Sequence, residues 1–166
     1  MKHKTTLIVR GGGDLASGVI HRLYKCGYQV LVLECAKPSA IRRRVSFGEA
    51  VYDGTSRVEG VTGRLIKDIS ECRKVWDEKE IPILVDENAD AVSELKPDAL
   101  IDAILAKKNL GTTRMMAPLT IGLGPGFTAR VDVDYVVETQ RGHNLARVIE
   151  KGTAAPNTGI PGMIAG

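Results

Sequence analysis

The chain has 166 residues, of which 43% are hydrophobic and 26% are charged, and its formal net charge is +3. These values are typical of one globular domain with a hydrophobic core, so a disordered chain fits poorly. The small net charge and the 4% aromatic content argue against a nucleic-acid partner. No apolar run reaches the length of a membrane span or of a secretory signal, so we expect a cytoplasmic protein without a membrane partner.

The first elements along the chain form a strand, a glycine turn and a helix. Residues 5–9 are apolar or β-branched, residues 15–23 carry apolar side chains at helical spacing, and Gly11, Gly12 and Gly13 lie between them. Together with Ala16 the turn reads G-x-G-x-x-A. Free N–H groups and the dipole at such a helix start favour an anion such as a pyrophosphate. The alternative is a glycine-rich turn that only lets the helix pack closely on the sheet.

Two acidic residues bear on this turn in opposite ways. The second apolar run, residues 30–33, predicts a buried strand that ends at Glu34, about where a dinucleotide fold has its ribose-binding carboxylate. Asp14 lies in the first turn of the predicted helix, where a carboxylate repels a phosphate. Asp14 therefore either turns away as a cap, or the ligand presents a donor or a metal there.

The remaining pattern alternates strands and helices. We expect a short helix over residues 41–51, an edge strand or hairpin over 57–66, a helix that begins at Asp68 or Ser70, and strands over 83–86, 99–105, 119–123 and 135–139. This predicts a single α/β domain over residues 1–150, a Rossmann-like doubly wound, mostly parallel sheet with helices on both faces. Residues 151–166 are expected to be an irregular C-terminal tail, with the start of a missing module left open.

Polar residues that follow the predicted strands are candidates for a ligand crevice, because that crevice lies beyond the carboxyl ends of parallel strands. Besides Glu34 they include Arg10, Cys35, Asp86, Glu87, Lys107, Lys108 and Asn109. Lys107 and Asn109 are expected on the side of the crevice opposite the glycine turn. The alternative is ordinary loop polarity.

Several further residues are weaker candidates. Arg42 and Arg43 either form a solvated face or offer a second anion contact. Proton transfer or other catalysis has only weak candidates, namely His143, Lys107 and Cys35. The three cysteines show no metal or disulfide spacing, so we predict no metal site. The glycine turn lacks the lysine of a P-loop, which disfavours ATP hydrolysis. The sequence also shows no Ser/His/Asp arrangement for nucleophilic catalysis.

Five segments of the chain carry a family resemblance. They are GGGDLASG at 11–18, AIRR at 40–43 together with VSF at 45–47 and EAVY at 49–52, DAILAKKN at 102–109, GPGF at 124–127 and ETQRGH at 138–143. They resemble the YqeB-type accessory proteins of the selenium-dependent molybdenum hydroxylase system. The resemblance implies a role in maturing such a hydroxylase. Where the resemblance leads us to expect small residues, this chain has Arg130 and Ala146, of which Arg130 is a bulky cation, and such relatives tend to continue beyond Gly166.

The residues and the resemblance together give one functional hypothesis. A nucleotide or molybdopterin-type ligand binds with its phosphate at Gly11–Gly13, Asp14 and Ala16, with Ser17 as a donor, Glu34 on a sugar hydroxyl, and Arg42 and Arg43 as anion contacts. The protein then assists assembly or selenium loading of a molybdenum hydroxylase. The alternatives are an NAD(P)-dependent oxidoreductase that uses His143 or Lys107, and a non-catalytic nucleotide-sensing module. Ligand identity, turnover and a homo-oligomer are left open.

Overall fold

The computed structural model describes residues 4–156, which form one α/β domain around a mostly parallel sheet of nine strands. With a separate pair of short strands, the described strands number eleven. They are β1 Thr6–Arg10, β2 Gln29–Glu34, β3 Thr55–Val58, β4 Val61–Ile66, β5 Ile81–Val85, β6 Ala99–Asp102, β7 Leu119–Leu123, β8 Thr128–Ala129, β9 Tyr135–Val137, β10 Val148–Ile149 and β11 Gly152–Thr153. The helices are α1 Asp14–Lys25, α2 Ala50–Asp53, α3 Cys72–Asp77 and α4 Ala91–Leu95. Single 3-10 turns cover Arg43–Val45, Phe47–Glu49, Ile69–Glu71 and Arg114–Met116.

The strand order places the start of the chain at the centre of the sheet. Across the sheet the order is β10-β9-β7-β6-β1-β2-β5-β4-β3, and β8 and β11 form a separate antiparallel pair. Only β3 and β10, the two outermost strands, run antiparallel to their neighbours. After β2 the chain runs to the outermost strand β3, returns inward through β4 and β5, and then crosses β1 to form β6 on the other side. The direction of winding therefore reverses between β1 and β6.

Alternate residues of the central strands pack in two separate hydrophobic cores, one on each face of the sheet. Leu7 and Val9 pack on the face that carries α1, here called the front face, and Ile8 packs on the opposite back face. Ile20 of α1 belongs to the front core, and Val75 of α3 belongs to the back core. A third cluster forms around Phe127, Val133 and Val136. The expected α/β class, the mostly parallel sheet and the β3–β4 hairpin are thus confirmed.

The helix expected over residues 41–51 is wrong. That segment consists of two 3-10 turns and the single turn α2, with extended backbone at Ser46 between the two 3-10 turns. The physical reason is a tertiary contact, because the Ser46 hydroxyl and the Gly48 N–H both donate to the carbonyl of Gly12. Those bonds hold the segment in an irregular conformation that its own periodicity does not predict.

Two boundaries also differ from expectation. The strand expected over residues 99–105 ends at Asp102, and Leu105 and Lys107 adopt positive φ angles of 59° and 64° in the loop that follows. Within the segment expected to be an irregular tail, Gly152–Thr153 pairs with β8 and Ala154 is buried in the third cluster. The rest of that segment, residues 157–166, lies outside the described residues.

Two glycine-to-alanine substitutions test the packing of this fold. A Cβ on Gly122 of β7 would lie 2.5 Å from ring carbons of the buried Phe127, so Gly122→Ala is expected to lower the free energy of unfolding by about 1–3 kcal/mol. The matched control is Gly18→Ala on α1, where a Cβ meets nothing within 4 Å. It is expected to raise stability by about 0.5–1 kcal/mol, because alanine is the better helix former. Urea unfolding checks both values, and an unchanged midpoint for Gly122→Ala would contradict this packing.

Candidate functional site

The glycine turn lies at the carboxyl ends of the central strands, as the sequence predicts. The Gly11 N–H donates to the carbonyl of Leu33 in β2 over 2.7 Å, and the Ala103 N–H that follows β6 donates to the carbonyl of Arg10 over 2.8 Å. Gly11 has a φ of +94°, and a Cβ there would lie 2.8 Å from the Ala103 carbonyl oxygen. The turn is therefore wedged between the ends of β2 and β6, and its first position requires glycine.

The carbonyl of Gly12 is the acceptor for a whole segment of the chain. It accepts hydrogen bonds from the Ser46 hydroxyl at 2.6 Å, from the Gly48 N–H at 2.8 Å and from the Ser17 hydroxyl at 3.2 Å. The Ser17 oxygen in turn accepts a bond from the Phe47 N–H at 2.8 Å. A Cβ on Gly12 would lie 3.0 Å from the Gly48 nitrogen. Segment 46–48 thus covers Gly12, and Ser17 is buried between the two.

Glu34 binds the other side of the same peptide. Its Oε2 accepts the Gly12 N–H at 2.7 Å, and its Oε1 accepts the Cys35 N–H at 2.8 Å. The sequence predicts a carboxylate at this place, with a sugar hydroxyl as its partner. In the structure both oxygens hold main-chain N–H groups, and the carboxylate fixes the turn.

The open part of the turn is its third glycine. Gly13 is the residue before α1, with extended backbone at φ −67° and ψ −176°, and no side chain caps the helix there. A Cβ on Gly13 would meet nothing within 4 Å. Asp14 follows in the first helical turn and is half-exposed, whereas Ala16 is buried in the front core. The helix start is therefore accessible at Gly13 and Asp14.

A buried charge network ties the ends of β1 and β6 to two loops beside the turn. Arg10 and Asp102 are neighbours in the register of β1 and β6, with exposures of 3% and 1%, and the Arg10 Nη1 lies 3.8 Å from the Asp102 Oδ2. Thr112 accepts a bond from the Arg10 Nη1 at 2.8 Å and donates to the Asp102 Oδ2 at 2.6 Å. Arg10 also donates to the carbonyls of Leu110 at 3.2 Å and Glu87 at 2.8 Å.

A second glycine-containing loop, residues 124–126, follows β7 and packs against the neighbouring loops. Gly124 has a φ of +78°, and a Cβ on it would lie 2.8 Å from the Thr139 Oγ1. Gly126 has a φ of +110°, and a Cβ on it would lie 2.7 Å from the Lys108 Cα. Both glycines therefore permit close contact between loops, and their surroundings are protein.

The other predicted site residues have diverse surroundings. The side-chain amide of Asn109 closes its own loop, because it donates to the Thr112 carbonyl and accepts from the Thr112 N–H, both at 2.8 Å. Arg43 pairs with Glu49 at 2.9 Å. Arg42, Lys107 and His143 are exposed. The structure thus brings Ser17 and Glu34 to the glycine turn, and no described hydrogen bond or ion pair links His143 to it.

Cys35 is half-buried directly after Glu34. Burial raises the pKa of its thiol, and the nearby negative charges of Glu34 and Glu87 act in the same direction against a hydrogen bond from the Lys37 backbone. A raised pKa keeps the thiol protonated at neutral pH, which makes it a poor nucleophile. Cys72 in the back core is buried, which raises its pKa to about 12.

Residues 4–156 contain no group of three or more His, Cys, Asp or Glu side chains placed to hold a metal ion. Within the same range, no helix combines the length and apolar character that crossing a membrane requires.

Sequence reasoning misses Asp102 and Thr112. Asp102 lies inside an apolar run that predicts a strand over residues 99–105, so its position in the sequence does not mark it as a residue at a strand end. Thr112 lies in a loop that has no motif of its own. The signal that could have found Asp102 is its position as the only charged residue in the run from Ala99 to Leu105.

Comparison with known proteins gives one informative similarity. The chain is 52% identical over 160 residues to a protein of Escherichia coli (strain K12) named "Uncharacterized protein YqeB". The match covers 96% of this chain and 30% of the relative, so the chain spans less than a third of the relative's length. No family model and no solved structure matches the chain. The name of the relative states no activity.

The buried network predicts a specific stability loss. Thr112→Val removes the hydroxyl that joins Arg10 to Asp102 and leaves a buried donor and a buried acceptor without that partner, so the free energy of unfolding is expected to fall by about 1–3 kcal/mol. The control is Thr113→Val at the exposed neighbouring position, with an expected change within about 0.5 kcal/mol. Thermal unfolding measures both, and equal effects of the two variants would argue against the network.

Proposed function

We propose that this chain is a YqeB-type protein with a Rossmann-like doubly wound domain that binds an anionic, nucleotide-like ligand at the start of α1. We further propose that it acts as an accessory protein in the maturation of a selenium-dependent molybdenum hydroxylase. The observation that carries the ligand proposal is Gly13, an uncapped and uncovered helix start at the point where the winding of the sheet reverses.

The physical basis is the set of N–H groups that a helix start leaves without intrahelical partners. α1 has 12 residues, its first-turn N–H groups have no side-chain cap, and the helix dipole adds partial positive charge there. Phosphate oxygens are the ligands that such a start favours. Because the N–H and carbonyl of Gly12 are already bound within the protein, the proposed phosphate contacts begin at Gly13 and continue into the first turn of α1.

The arginine segment supplies the second part of the proposed site. The 3-10 turn Arg43–Val45 packs against α1, and Gly48 is bonded to Gly12, so this segment runs along the glycine turn. Arg43 is neutralised by Glu49, which leaves the exposed Arg42 as the stronger candidate for an anion contact. Its positive charge would offset the carboxylate of Asp14.

The maturation role rests on the similarity to YqeB and on the motif resemblance. A pyranopterin cofactor joined to a nucleotide carries the phosphates that this helix start would bind. The alternative is a nicotinamide-dependent oxidoreductase, and for either ligand no sugar contact is proposed at Glu34. Both oxygens of that carboxylate hold main-chain N–H groups.

The ligand proposal predicts opposite effects on stability and binding at one position. Gly13→Asp is expected to raise thermal stability, since aspartate is a preferred N-cap, and to weaken binding of pyrophosphate about tenfold or more by capping the same N–H groups with a negative charge. The control Gly13→Ala is expected to be slightly less stable and to keep its affinity within about threefold, because it adds neither a cap nor a charge.

Isothermal titration calorimetry of the wild-type chain and both variants, with pyrophosphate, CTP, NAD and NADP as probes, measures these affinities. Equal affinity of Gly13→Asp and the wild type would contradict binding at Gly13, as would the absence of binding to all four probes. Nicotinamide turnover with any substrate would instead support the oxidoreductase alternative.

The maturation proposal predicts a defect in the target enzyme. In a host that carries a selenium-dependent molybdenum hydroxylase, loss of the gene for this protein is expected to lower the selenium content of the purified hydroxylase, measured per protein by elemental mass spectrometry. The wild-type gene should restore the content and the Gly13→Asp gene should not. Normal selenium and normal molybdopterin content in the deletion strain would contradict this role.

A further inference from the structure

We infer that the front face of strands β6, β7 and β9 is a docking surface for an amphipathic α-helix, supplied by the part of longer YqeB-type polypeptides that this chain does not span. The inference rests on an uncovered apolar groove and on the length of the relative. It does not depend on the ligand proposed at Gly13.

The groove has a volume of about 460 Å³ and lies beside α1. Its floor is formed by aliphatic side chains of the three strands, among them Ile101, Leu119, Ile121 and Val137. Leu119 is 37% exposed, and Ile121 and Val137 are half-buried. Parallel strands are normally covered by helices on both faces, so this part of the sheet lacks its usual second layer.

The topology explains why the described chain leaves this face open. Connections between parallel strands are right-handed, which places those of one half of a doubly wound sheet on one face. Here α4, which leads to β6, and Met116, which precedes β7, both pack in the back core. Phe127 lies between β7 and β9 and contacts Gly122, on the opposite side of β7 from Ile121. Ala103 and Leu105, directly after β6, pack with the front core. The segments that lead into β6 and β7, and the one between β7 and β9, therefore lie behind the sheet.

The final described segment does not cover the groove either. β10 extends the sheet at its edge beside β9, and β11 pairs with β8. Ala154 packs in the third cluster with Phe127, and so lies behind the sheet. Within residues 4–156, no element lies over the front of β7 and β9.

The shape of the groove favours a helix as its occupant. One wall is α1, which contributes Val19 and Leu23, and the floor is a strip of three strands. A helix that packs at the usual interaxial distance of about 8–10 Å from α1 would lie along this strip and bury Leu119 and Ile121. The occupant would carry aliphatic side chains at i, i+3, i+4 and i+7 on the face toward the sheet.

A tethered helix fits better than a second copy of this chain. The groove is a recess of about 460 Å³ that holds only a few side chains, whereas a stable interface between separate molecules needs about 20–30 residues on each side. A segment of the same polypeptide binds at a millimolar effective concentration and needs less contact area. Because this chain spans 30% of the YqeB relative, the remaining length of that relative can supply such a segment.

Photo-crosslinking in the full-length E. coli relative tests the inference. The photoreactive amino acid p-benzoylphenylalanine is placed at the position that aligns with Leu119, and at the position of the exposed residue Val131 as the matched control. We expect an intramolecular crosslink from the first position to a helical peptide outside the aligned region, mapped by mass spectrometry, and at most a trace from the control.

Hydrogen exchange provides a second readout that requires no substitution. The segment that aligns with Leu119–Leu123 is expected to exchange about tenfold or more slowly in the full-length relative than residues 119–123 do in this chain. Equal exchange in the two proteins would overturn the inference. A crosslink from the Leu119 position to a second copy, or no crosslink above the control, would overturn it as well.

Discussion

The peptide at Gly12 is the constraint on which the candidate site depends. Its N–H is held by Glu34 at the end of β2, and its carbonyl is held by Ser17, Ser46 and Gly48. These bonds join the first two strands, the start of α1 and the arginine segment at one peptide. They close Gly12 to any ligand and leave Gly13 as the accessible glycine. The same contacts that fix the helix start thus also decide which of its N–H groups a ligand can reach.

Acidic residues at the strand ends act in a common way. Glu34, Asp86, Asp102 and Glu138 each follow or end a strand, and each carboxylate accepts at least one main-chain N–H of the loop that comes next. Carboxylates that bind backbone N–H groups hold loops in one conformation. The carboxyl edge of the sheet is consequently a set of fixed loops, and a ligand there would meet a surface that is already organised. The polar residues after the strands predict a ligand crevice in the sequence. In the structure, many of them hold the loops at that edge in place.

The sequence predicts the strands and the helix at the centre of the sheet well. It predicts the hydrogen bonds between distant segments less well. Continuous apolar runs, helical spacing and the glycine turn define β1, α1 and β2, because these elements depend on local patterning and, for the strands, on burial on both faces. The segment around Ser46 could not be predicted, since its conformation follows from bonds to Gly12, far away in the chain. Arg10 and Thr112 are still further apart in sequence, and no local pattern connects them. For the candidate site, the sequence locates the turn and Glu34, and only the structure shows that Glu34 is bound to the turn itself.

An anion that binds this domain should contact the uncovered start of α1 and not the closed part of the turn. A two-dimensional ¹H–¹⁵N NMR titration of the chain with pyrophosphate tests it most directly, because each amide reports separately. The largest shift changes are expected at the amides of Gly13, Asp14 and Leu15, and small changes at Gly11 and Gly12, whose N–H groups are bound within the protein. Shift changes centred elsewhere on the domain, or no change at millimolar pyrophosphate, would contradict it.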